Sequence, residues 1–89
     1  MANKEDIRKE RQRIGFNILI RRRELHMTQN DLSEASGVSR TQISSMERGK
    51  TNFSMEALFA IAEALGVEYL ELLKWRTPFK DISEKNWKG

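Results

Sequence analysis

Residues 28–48 read TQNDLSEASGVSRTQISSMER, two short stretches of helical pattern joined at Ser36-Gly37-Val38. Thr28 and Asp31 have the spacing of a capping box, in which the threonine hydroxyl accepts from an orphan amide and the acid reaches back to the cap amide. A helix is expected to begin at Gln29, with Leu32 and Ala35 facing inward. Gly37 stops it, because the residue just past a helix end commonly takes a positive φ, which glycine adopts without a Cβ clash. Ser39 and Gln42 repeat the capping spacing. A second helix therefore starts at Arg40, turns Ile43 and Met46 inward and ends near Arg48, before Gly49. Two helices joined over a turn of three or four residues cross steeply.

Upstream of this pair, Ile7, Ile14, Ile18 and Leu25 fall on one stripe of a 3.6-period helix expected over about Lys4 to Glu24, and the stripe reads as core. Phe16 and Ile20 lie on roughly the opposite face, a second apolar stripe that the tail or another subunit should cover. Downstream, Ser54 can cap a fourth helix, with Glu56 near its positively polarised start and Leu58, Ile61, Ala62 and Leu65 as its buried stripe. Gly66 ends that helix. A short fifth, about Glu68 to Lys74, carries Tyr69, Leu70, Leu72 and Leu73. Pro78 opposes continuation, since it lacks an amide donor and restrains Thr77. The remaining TPFKDISEKNWKG is polar, with spaced Phe79, Ile82 and Trp87, and reads as a loosely ordered tail unless it docks. No segment sustains a period-two alternation. The expected fold is all-α: a five-helix bundle over residues 1–74, with residues 75–89 as a C-terminal tail.

An 89-residue chain has room for one core and no second lobe. Cysteine is absent, so burial must hold the fold without disulfides or thiolate metal sites. No run approaches a membrane span, and the first residues, MANKEDIRKERQR, lack the apolar centre of a signal peptide. A soluble, cytoplasmic protein is expected. The net charge of +3 is unevenly spread: residues 1–25 carry eight Lys/Arg against four acids, and residues 53–74 one against four. Such a field would turn the basic side of the molecule toward a polyanion.

The chain offers little to catalysis. His26 has no second His, no Cys and no carboxylate pair to complete a metal site, and Ser44 and Ser45 have no His and acid to activate them. Neither an enzyme nor a cofactor or metal is expected.

Arg22, Met27-Thr28-Gln29, Leu32-Ser33, Gly37-Val38-Ser39, Ile43-Ser44, Glu47, Gly49-Lys50, Leu58 and Ile61-Ala62-Glu63-Ala64-Leu65-Gly66-Val67 stand in register with one known pattern. Over roughly Ile14 to Leu73, the chain resembles the lambda repressor and Cro (XRE-like) type of helix-turn-helix domain. The resemblance implies a DNA-binding transcriptional regulator, a bacterial or phage-encoded and nucleoid-associated repressor, that sets its third helix in the major groove of a palindromic operator as a homodimer. It assigns base readout to Ser39, Arg40, Thr41, Gln42 and Ser45, and DNA phosphate contacts to Gln29, Ser44, Lys50, Thr51 and Asn52. Arg22 and Glu47 match a structural ion pair tying the first helix to the third. Leu70, Leu73 and Trp75, extended by Phe16 and Ile20, are the candidate dimer contacts.

Elementary chemistry supports several of these assignments. Gln29 sits at a helix start, where free amides and the helix dipole favour an anion. Arg40 can bond guanine O6 and N7 together, and Thr41 can pack its methyl on that of thymine. The chain departs from the pattern at Ser33, where alanine is common, at Phe53, where proline is frequent, and in the tail, which holds both tryptophans, Trp75 and Trp87. The alternative is a protein-interaction role for the same bundle, as in an antitoxin paired with a toxin, or a coactivator docked on the transcription machinery.

Overall fold

Four helix starts carry a side-chain cap and the fifth does not. The computed structural model describes residues 3–74, which form α1 (Lys4–Glu24), α2 (Gln29–Ser36), α3 (Arg40–Glu47), α4 (Met55–Leu65) and α5 (Tyr69–Leu73). The Asn3, Thr28, Ser39 and Ser54 side chains accept from the amides of Asp6, Asp31, Gln42 and Ala57, each bond contributing about 1 kcal/mol. At Thr28 the box is reciprocal, with the Thr28 amide donating to the Asp31 carboxylate at 2.9 Å. Glu68, before α5, makes no such bond. Gly37 and Gly66, at φ 81° and 71°, close α2 and α4. The end of α1 is less usual. His26 takes φ 58°, a left-handed conformation that costs a residue with a Cβ, while the Met27 amide bonds back to the Arg22 carbonyl at 3.0 Å.

The core gathers Ile18 from α1, Leu32 from α2, Ile43 and Met46 from α3, Leu58, Ile61 and Leu65 from α4, and Leu72 from α5, with Val38 plugging the turn between α2 and α3. Three positions expected inside are not. Ile7 is 42% exposed and Leu25 39% exposed, and Ala35 is exposed as well. Periodicity marks a face of a helix without saying how far the body covers it. The first two turns of α1 are exposed on every side, Leu25 already belongs to the turn, and α2 is short enough that Leu32 alone is buried. On the exposed start of α1, Arg8 hydrogen-bonds Glu5 at 2.6 Å, and that bond and charge hold the Glu5 carboxyl below its ordinary value.

Where α1 crosses α3 the residue is Gly15. A Cβ there would run into the carbonyl oxygen of Met46 and come within 2.9 Å of that of Glu47. Only glycine lets the two backbones approach so closely. Two residues on, Asn17 is 1% exposed and donates both amide hydrogens to the end of α5, to the Leu72 carbonyl at 2.8 Å and the Lys74 carbonyl at 2.6 Å. Arg21 likewise reaches the Leu65 carbonyl at the end of α4, at 3.2 Å. Among the described residues no strand is present, and no helix is long and apolar enough to cross a membrane.

Candidate nucleic-acid interface

The turn from α2 to α3 pushes the first turn of α3 outward. Ile43 and Met46 fix the inner face, so Ser39, Arg40, Thr41 and Gln42 are exposed, and Ser44 and Ser45 are half-buried beside them. The Ser39 hydroxyl accepts from the Gln42 amide at 3.1 Å, while no bond returns from the Gln42 side chain among the described residues. Among the described residues the side chains of Arg40, Thr41 and Gln42 are thus uncommitted. This is a small polar surface on a rigid helix, carrying one planar cation.

What holds α3 at this angle is a carboxylate. Arg22 pairs with Glu47 through two bonds, Nε to Oε2 at 2.7 Å and Nη2 to Oε1 at 3.0 Å, with the side chains 10% and 5% exposed. Arg22 also donates to the Met27 carbonyl at 2.8 Å. Gln29 joins the same carboxylate, donating from Nε2 to Glu47 Oε1 at 3.0 Å. The sequence reading gave Gln29 a phosphate contact alone; the structure adds a bond into the ion pair. A carboxylate only accepts, so the amide nitrogen of Gln29 must face Glu47, and one N–H of that side chain remains. At the start of α2 the backbone amides of Gln29 and Asn30 precede the first intrahelical bond and point out of the helix end. Lys50 is exposed in the loop after α3, its amide bonded to the Ser45 carbonyl at 3.0 Å; Thr51 is half-buried and Asn52 exposed. Asn52 takes a hydrogen bond on Oδ1 from Arg11 of α1. The start of α2, the first turn of α3 and this loop supply donors and cations, which suits a backbone of phosphates flanking a groove.

A profile of the helix-turn-helix family matches residues 18–72, the segment from the buried half of α1 through α5. The chain belongs to the XRE-like helix-turn-helix family. Over 63 residues it is 40% identical to y4dJ of Sinorhizobium fredii, an uncharacterised HTH-type transcriptional regulator, spanning 71% of this chain and 82% of that one. The solved restriction-modification controller protein C.AhdI of Aeromonas hydrophila matches with a TM-score of 0.70 and 28% identity over 72% of this chain and 97% of its own. A hypothetical transcription factor of Neisseria, NHTF, matches with a TM-score of 0.72 and 26% identity over 94% of each chain. The protein is a DNA-binding helix-turn-helix transcriptional regulator.

The residues that the resemblance offers as dimer contacts of this helix-turn-helix regulator lie on α1 and α5. Leu70 is 57% exposed, Leu73 is half-buried against the core, and Phe16 and Ile20 are half-buried on α1; Trp75 lies outside the described residues. The sequence reading passed over Met55 and Phe59, both at least half exposed on α4, and the packing of the Phe59 ring on Tyr69 with centroids 4.6 Å apart. Arg11 was passed over too. It falls in an ordinary run of charges, and only the fold carries it to Asn52. Among the described residues no group of three or more His, Cys, Asp or Glu is placed to hold a metal.

Proposed function

We propose that this regulator is a repressor that binds a palindromic operator as a homodimer, with α3 of each protomer in the major groove. The observation that carries this reading is the uncommitted first turn of α3 beside a start of α2 held fixed by Glu47. Arg40 reads guanine through its fork, Thr41 packs on a thymine methyl, and Ser39, Gln42 and Ser45 line the approach. Gln29, with the free amides of its helix start, and Ser44, Lys50, Thr51 and Asn52 grip the phosphates on either side. Residues 1–74 form the DNA-binding domain, working in the bacterial cytoplasm on the nucleoid.

One eight-residue reading helix covers few base pairs, so two copies on half-sites about 34 Å apart supply the specificity. Leu70, Leu73 and Trp75, with Phe16 and Ile20, are the surface on which the two copies meet.

Selection of bound sequences from a random DNA pool tests the reading. An inverted repeat should emerge, and Arg40→Ala should relax preference at one base position of each half-site. Lys50→Ala should weaken binding to all sequences and lower the salt slope by about 0.9. Unchanged preference for Arg40→Ala would show that the bases are read elsewhere, and a monomer in sedimentation at high micromolar concentration would end the dimer reading.

A further inference from the structure

The loop after α3 does not stand by itself. Its first residue, Gly49, is packed so tightly on α1 that a Cβ there would come within 2.9 Å of the Gln12 Cα. One residue before Gln12, Arg11 reaches along the loop and donates from Nη2 to Asn52 Oδ1. An arginine has donors and no acceptor, so the atom of Asn52 facing it must be the carbonyl oxygen. The Asn52 amide nitrogen is thereby turned to the other side, with no protein partner among the described residues. It offers two donors on an exposed side chain next to the exposed Lys50.

We infer that Arg11 is a positioning residue for DNA binding: it fixes the Asn52 carboxamide so that its two N–H groups face the DNA backbone. The inference rests on the reading of Asn52 as a phosphate contact. Without Arg11 the carboxamide turns freely, and its oxygen, which a phosphate repels, faces the backbone part of the time. Arg11 acts through Asn52 and neutralises no phosphate itself. The close approach of Gly49 to the α1 backbone at Gln12 sets the loop beside Arg11. Because the contact is on the backbone side, Arg11 raises affinity for every sequence alike.

The test is equilibrium binding of the full chain to its selected operator and to a scrambled duplex over a salt series, for wild type, Arg11→Ala, Asn52→Ala and the double variant, with a thermal melt of each as a control on folding. Asn52→Ala and Arg11→Ala are each expected to weaken binding to both duplexes by about fivefold, the value of one ordinary hydrogen bond. The double variant should be no weaker than either single one, and the salt slope for Arg11→Ala should stay at the wild-type value. If Asn52→Ala changes nothing, the phosphate reading of Asn52 falls and the inference with it. If Asn52→Ala weakens binding and Arg11→Ala does not, the inference alone is overturned. Additive losses, with the slope falling by about 0.9 for Arg11→Ala, would mean that Arg11 grips a phosphate directly, which also overturns it.

Discussion

Two of the short helices, α2 and α5, are held at opposite ends. α2 is fixed at its start, by the reciprocal Thr28–Asp31 box and by the Gln29 bond to Glu47. α5 has no side-chain cap and is fixed at its finish, where the Asn17 amide nitrogen donates to the Leu72 and Lys74 carbonyls. The difference follows what each end must do. A start that is proposed to offer free amides to a phosphate has to keep their direction, and a buried carboxylate tied to three donor bonds provides that stiffness. The finish of α5 has only to keep Leu72 in the core, and one neutral side chain suffices.

The largest test of this contrast is Arg22→Ala. It leaves the Glu47 carboxylate buried without its cation and should cost about 3–5 kcal/mol in urea denaturation, loosening α2 and α3 together. A loss under 1 kcal/mol would show that Gln29 alone can hold Glu47. Asn17→Ala should cost about 1–3 kcal/mol by stranding the buried Leu72 carbonyl and losing the bond to Lys74, and hydrogen exchange should quicken in α5 while α2 stays protected. Equal quickening in both helices would erase the distinction between the two ends. Thr28→Ala removes the cap hydroxyl and should cost about 1 kcal/mol, with weaker binding to every DNA sequence because the start of α2 frays. The smallest effect is a gain: His26→Gly relieves the left-handed turn ahead of α2 and should stabilise the fold by about 0.5 kcal/mol, leaving DNA preference unchanged.

Features set by near neighbours in the chain were legible without a structure. Thr28, Ser39 and Ser54 announce helix starts and Gly37 and Gly66 announce ends, because a cap and its amide lie three residues apart and a left-handed end needs only its own residue. Ile43, Met46, Ile61 and Leu65 follow from periodicity. Features that depend on distant partners were not legible. Asn17 reads as an ordinary polar residue between apolar ones until α5, 55 residues away, is brought beside it. Gly15 resembles a weak point in a helix until α3 crosses there. Ile7 and Ile18 belong to the same stripe, yet one is exposed and the other buried, since the stripe cannot say where the body ends. At the candidate interface the exposure of Arg40, Thr41 and Gln42 agrees with Ile43 and Met46 turning inward, whereas their choice as reading residues came from the family resemblance. The Gln29 tie to Glu47 and the Arg11 grip on Asn52 needed three dimensions.

Because the side chains of Arg40, Thr41 and Gln42 bond to nothing among the described residues, this surface is a replaceable cassette. New side chains at these three positions alter no core contact and no cap, provided Ser39 stays. A library randomised there should retain its melting temperature while changing the sequences it prefers. On the proposed readout, a scaffold of this kind lets an operator and its regulator drift together, one base and one side chain at a time, without passing through an unfolded intermediate.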